Sequence, residues 1–166
     1  MSKTLVVLGS SRSNGETRQM VDYLLSKTDW AFLDLKPLQI NHYDYEHKNS
    51  DDDFSKIVIP KLLDADRIIV ATPVYWYSMS GIMKVFFDRL TDLITINKSE
   101  GRQLRGKSLG VISCAAEKTT KDGFYMPFEE TANYLGMPYL GSVHGWIDNS
   151  EIPESVEKQL DNLIMS

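Results

Sequence analysis

The chain has 166 residues, 42% of them apolar and 25% charged, and its 18 basic and 23 acidic side chains leave a net charge of −5 at pH 7. At this length a single domain buries roughly 68–70% of the surface its unfolded chain exposes, so neither a disulfide nor a structural metal is required. The single Cys, Cys114, forbids an intrachain disulfide, argues against zinc or iron–sulfur ligation and fits a reducing compartment. The acidic balance gives no electrostatic footprint for a nucleic-acid backbone, and the apolar run Leu5 to Leu8 is too short for a signal segment. With no stretch near the ~20 apolar residues that cross a bilayer, a cytoplasmic protein without nucleic-acid partners or membrane insertion is expected.

Apolar runs of strand length alternate with longer segments of helical period, the pattern of βαβ units around a parallel sheet. Leu5 to Leu8 reads as the first strand, aliphatic throughout as in a sheet covered on both faces, and a loop from Gly9 to Gly15 leads to a helix over Glu16 to Ser26. Ala31 to Leu35 reads as a second strand and Ile68 to Ala71 as a third, strongly β-branched one. Between them, Gln39 to Lys61 reads as an excursion loop that ends in a short helix near Phe54. That helix is favoured by the acidic run Asp51 to Asp53 and is kinked or restarted at Pro60. A long helix is expected over Ser80 to Ile96, a fourth strand over Leu109 to Ser113 and a helix over Gly123 to Leu135. A fifth strand over Tyr139 to Trp146 and a closing helix over Pro153 to Ile164 complete the series. The whole chain reads as one domain.

The loop Gly9-Ser10-Ser11-Arg12-Ser13-Asn14-Gly15-Glu16-Thr17 leaves a buried strand and opens a helix, so its amides and hydroxyls converge where the helix dipole favours an anion. The alternative is a Ser/Gly-rich turn that only caps the helix. What the loop lacks narrows the phosphate it would hold. Five residues separate Gly9 from Gly15 and Glu16 stands where a P-loop needs Lys. The three glycines of a dinucleotide fingerprint are not present. No Cys lies in the loop for a Cys-based phosphatase, and the third strand ends in Ala71-Thr72-Pro73 without a phosphoacceptor Asp. A bound monophosphate ester, with Arg12 as a charged donor, is what remains.

The segment Thr72-Pro73-Val74-Tyr75-Trp76-Tyr77 leaves the carboxyl end of a central strand, where open parallel sheets place ligands. Its three successive aromatics suit a large planar ligand, bordered by rings and bonded at its edge by amides, or else a subunit interface. In the helix that follows, Met79, Ile82, Met83, Phe86, Leu90 and Leu93 form an apolar stripe that Val85, Phe87 and Ile94 widen. This reads as core plus a subunit contact, with Lys84 and Arg89 as solvated or interface charges. Cys114 reads as a small buried thiol, and His42, Asp44 and His47 as water-facing loop residues rather than metal ligands.

These residues resemble the flavodoxin-like NAD(P)H-dependent flavin mononucleotide (FMN) reductases and quinone reductases. Gly9 to Thr17 is similar to that family's phosphate loop. Thr72 to Trp76 with Ser80, Gly81, Lys84, Asp88 and Arg89 is similar to its second signature, and Leu104-Arg105-Gly106-Lys107 also matches. The resemblance implies a three-layer α/β sandwich with a five-stranded parallel sheet of order 2-1-3-4-5. It implies FMN as cofactor, with Ser10, Arg12, Ser13, Asn14, Gly15, Glu16 and Thr17 around its phosphate and Pro73, Val74, Tyr75 and Trp76 along its ring. Ser113 and Cys114, with Ala115 and Ala116 beside them, would supply a third cofactor loop, and Tyr125 would help shape the stacking slot. NADPH or NADH as co-substrate, a small-molecule electron acceptor and a homodimer or homotetramer are implied too. Relatives with iron–sulfur clusters carry several cysteines where this chain has Ile40 to Ser50, so a flavin-only protein is expected. No catalytic side chain is required, because the flavin would carry the chemistry. A flavodoxin-type electron carrier and a flavin-free domain for another phosphate ester are the competing readings.

Overall fold

The aliphatic runs become strands because both of their faces are covered. In the computed structural model, which describes residues 2–166, β1 (Thr4–Leu8) is buried along its whole length, and β3 (Arg67–Tyr75) and β5 (Ser108–Cys114) are buried over most of theirs. With β2 (Ala31–Asp34) and β6 (Tyr139–Gly145) they form a parallel sheet of order β2-β1-β3-β5-β6, which is the order 2-1-3-4-5 that the family resemblance implies. A two-residue strand the sequence did not signal, β4 (Ser78–Met79), folds back antiparallel on the end of β3, pairing Val74 with Met79 and Tyr75 with Ser78.

Alternate residues of each strand serve two cores, as the period of two in a strand dictates. Leu5, Val7, Ile68 and Val70 pack with Leu62 of α2 (Ile59–Asp64), Met83 and Phe86 of α3 (Gly81–Arg89) and Phe128 of α6 (Met126–Leu135). Val6, Leu8, Ile69 and Ala71 pack with Met20 and Leu24 of α1 (Glu16–Lys27) and with Val156 and Leu160 of α7 (Glu154–Met165). The result is a three-layer, flavodoxin-like α/β sandwich. Among the described residues no helix is long and apolar enough to cross a membrane.

The long helix expected over Ser80 to Ile96 is broken. After α3 the backbone tightens, with Leu90 N–H donating to Phe87 O at 3.1 Å and Ile94 N–H to Thr91 O at 3.1 Å, before the short helices α4 (Asp92–Thr95) and α5 (Lys98–Arg102). Bonds from i to i−3 rather than i−4 wind the chain more tightly, and this sets Asp92 against Arg89 at 2.8 Å. Arg89 is therefore not solvated, as its residue type suggested, but wholly buried. Its guanidinium also meets Asp52 at 2.6 Å and donates to Asn41 O at 3.0 Å, which straps the excursion loop to α3. Asp52 accepts the N–H groups of Asn41 and Phe54 as well, both at 2.9 Å. The expected cap at Phe54 thus comes from Asp52, and a π-helical turn over Phe54–Val58 leads into α2 with Pro60 in its first turn. His47, expected to face water, lies with Nδ1 buried 3.6 Å from Asp92.

Candidate functional site

Three connections leave the carboxyl ends of the central strands side by side. The β1–α1 loop is drawn tight against α3: the Ser80 hydroxyl donates to Gly9 O at 2.5 Å while accepting the Met83 N–H at 3.1 Å. A Cβ on Gly9 would stand 2.8 Å from Met83 Cε and 3.0 Å from its Cα, so only glycine admits this approach. Gly15 caps α1 without a side-chain bond, and the helix-opening amides of Glu16, Thr17 and Arg18 have no acceptor within the described chain. Such amides at a helix start form an anion site. Arg12, exposed beside them, has no carboxylate partner among the described residues, and its own N–H rests on the Ser10 hydroxyl at 3.2 Å. These free amides and Arg12 suit a phosphate monoester.

A cleft of about 390 Å³ runs from this loop across the sheet edge. Ser10, Arg12, Gly15, Glu16 and Thr17 line it on one side, Pro73, Val74 and Tyr75 on a second, and Cys114 to Glu117 on a third. A neighbouring cleft of about 420 Å³ shares Val74, Ala115 and Glu117 and continues past Trp76 and Tyr77 to Thr119, Thr120 and Lys121. Both volumes fall in the range typical of small-molecule sites. Another cleft of about 340 Å³, beside Lys3, Trp30 and Asp64, opens at the amino ends of the strands and touches none of these loops.

The aromatics of the second cleft are displayed by an unusual turn. Trp76 and Tyr77, the two residues between the closing pair Tyr75 and Ser78, have φ of 49° and 64°. A two-residue hairpin with both central residues left-handed is normally built from Asn and Gly, so two bulky side chains are held there at a conformational cost. Trp76 is 93% exposed and Tyr77 67% exposed. Cys114 lies in the opposite condition. Burial, with the charge of Glu16, pushes its thiol up to about 12 against a weaker opposing bond from Thr17, so it stays protonated.

Most of the residues singled out from the sequence meet at these clefts: Ser10, Arg12, Gly15, Glu16, Thr17, Pro73, Val74, Tyr75 and Cys114 at the first and Trp76 at the second. Ser13 and Asn14 belong to the loop but line neither cleft, and Ser113 is wholly buried beneath it. Tyr125 also lies behind the site, with its hydroxyl 2.6 Å from Ser113 Oγ. Glu117, Thr119, Thr120 and Lys121 escaped the sequence reading because a polar loop carries no period. Its place after a central strand is the signal that could have found it.

A flavodoxin-like sheet whose carboxyl edge joins donor-rich loop amides to an aromatic hairpin has the architecture of a flavin-binding protein. The chain belongs to the NADPH-dependent FMN reductase family, whose model matches residues 2–151. It is thus an FMN-dependent, NAD(P)H-linked enzyme of that family. It is 28% identical over 153 residues to YwqN of Bacillus subtilis (strain 168), which carries the name of an NAD(P)H-dependent FMN-containing oxidoreductase. The match covers 86% of this chain and 84% of that one. Among solved structures, the Trp repressor binding protein of Bacillus subtilis superposes with a TM-score of 0.78 at 23% identity, covering 98% of this chain and 97% of that one. An FMN-dependent NADH-azoreductase of Bacillus anthracis in complex with FMN superposes with a TM-score of 0.66 at 14% identity over 98% of both chains.

Proposed function

We propose that this protein passes a hydride from NADPH or NADH, by way of FMN held in the two joined clefts, to a small electron acceptor such as a quinone, an azo compound or free flavin. The observation that carries the reading is the continuity of a donor-rich anion cradle, built by the amides of Glu16 and Thr17 with Arg12, and an aromatic-walled slot at Trp76 and Tyr77. FMN, when bound, supplies the redox chemistry.

The residues of the chain bind and orient. The β1–α1 loop takes the terminal phosphate, with charge-assisted bonds from Arg12. Pro73, Val74 and Tyr75 would hold the ring, and the amide of Trp76, outside the β3–β4 ladder, would offer a hydrogen bond to negative charge at its edge. The protonated Cys114 thiol is a wall of the cleft and not a nucleophile. Trp76 and Tyr77 stand open to solvent at the rim, which suits a second copy of the chain completing the slot in a homodimer or a homotetramer.

Steady-state oxidation of NADPH and of NADH by the FMN-loaded protein, with a quinone, an azo dye and free FMN offered in turn, tests the reading. Turnover with at least one acceptor is expected. Tightly held flavin without turnover on any of them would overturn it in favour of a carrier that exchanges electrons with protein partners.

A further inference from the structure

The β5–α6 loop walls both clefts, yet its backbone is barely tethered. Ala115 N–H still reaches Gly145 O at 3.2 Å, and Phe124 N–H reaches Lys121 O at 3.2 Å, but no backbone–backbone hydrogen bond involves residues 116–120. The loop is held from beneath by side chains. His144 Nε2 lies 2.8 Å from Glu117 O and His144 Nδ1 lies 2.8 Å from Ser113 Oγ. Ser113 Oγ in turn lies 2.6 Å from Tyr125 Oη, with the side chains of Ser142 and Thr120 close to that hydroxyl. Ser113 and His144 are register partners on β5 and β6, so the sheet fixes the spacing of the whole network.

With a neutral imidazole the direction of these bonds follows from one group. The Glu117 carbonyl can only accept, so Nε2 carries the imidazole proton. Nδ1 is then an acceptor and takes the Ser113 O–H, which leaves the Ser113 oxygen to accept from Tyr125.

We propose that His144 is a positioning residue that, seated on Ser113 and Tyr125, clamps the Glu117 carbonyl and so pre-forms the β5–α6 wall of the cofactor cleft. The proposal rests on the FMN reading above. Ordering a loop costs conformational entropy, and a wall already held in place spares the cofactor that cost on binding. Ser113 thereby serves the site without touching the ligand.

Two substitutions separate the clamp from simple packing. In His144→Gln the side-chain amide can put a donor where Nε2 stands and keep the bond to Glu117. In His144→Asn the shorter side chain can engage Ser113 but cannot reach the carbonyl. Backbone order parameters from ¹⁵N relaxation, measured on residues 115–121 of the FMN-free protein, are expected to remain near ~0.85 in wild type and His144→Gln and to fall below ~0.6 in His144→Asn. FMN affinity is expected to weaken about tenfold in His144→Asn and to stay within about twofold of wild type in His144→Gln. Equal order parameters in the Asn and Gln variants, or a loop as mobile in wild type as in His144→Asn, would overturn the proposal. Failure of wild type to bind FMN would instead defeat the cofactor reading, while the relaxation data would still decide whether the clamp exists.

Discussion

Arg89 shows how far a residue's type can mislead about its place. Exposed arginines are the rule, and the carboxylate that makes this one an exception, Asp52, is 37 residues upstream in a stretch that reads as irregular loop. Arg12 was legible for the opposite reason, since strand, loop and helix start are contiguous around it. Arg89→Met is expected to strand Asp52 and Asp92 in an apolar setting and to lower unfolding stability by about 3–5 kcal/mol in urea titration. Burial works against the charge on Asp52, but the Arg89 hydrogen bond and the amides of Asn41 and Phe54 outweigh it and hold this carboxyl below its ordinary range. The stability it contributes is therefore present above the ordinary carboxylate pKa and lost as pH falls through the depressed one. At the alkaline end the sign reverses. Burial raises Cys114 from 9.0 and Tyr139 from 10.0, each to about 12. Both groups favour the folded state fully below those ordinary values and progressively less as pH climbs toward the raised ones. Thermal midpoints measured between about pH 8 and pH 11 should fall, and Cys114 should resist thiol reagents until the chain is unfolded.

At the scale of elements, the aliphatic strands were readable because continuous β-branched runs have few other uses in a domain of this size. The break between α3 and α4 was not. The apolar period runs through Leu90 and Leu93 without Gly or Pro, so no local signal marks the interruption that brings buried Arg89 against Asp92. The β3–β4 hairpin was hidden as well, since Trp76-Tyr77 is a poor signature for a left-handed turn. Relief of that backbone cost should be measurable. Tyr77→Gly is expected to raise the thermal midpoint by about 2–4 °C, as about 1 kcal/mol of strain is removed from a domain of this size. An unchanged or lower midpoint would show that the Tyr77 ring makes stabilising contacts of its own. Gly9→Ala tests the contact between the phosphate loop and α3. Its Cβ would crowd the Met83 backbone at 3.0 Å, so a loss of about 1–3 kcal/mol and weaker FMN binding are expected together.

For the molecule as a whole, the parallel sheet, its two cores and the carboxyl-edge location of the site follow from the βαβ rhythm, whereas the strand order was implied by the family resemblance alone. The polar reach of the site, Glu117 to Lys121, depends on how β6 and α6 pack behind it, and a single stretch of sequence does not encode that. The exposed rings of Trp76 and Tyr77 belong to this scale too. Sedimentation is expected to show a dimer or tetramer, and Trp76→Ser to shift it toward the monomer.

In the function proposed, the β1–α1 loop grips a terminal phosphate while the hairpin borders the ring. Titration of the flavin-free protein with FMN and, in parallel, with riboflavin, followed by quenching of flavin fluorescence, tests it most directly. FMN is expected to bind, and riboflavin, lacking the phosphate, to bind at least about tenfold more weakly, with Arg12→Ala narrowing the gap. Equal affinity for the two flavins, or no quenching by either, would contradict the assignment of the loop.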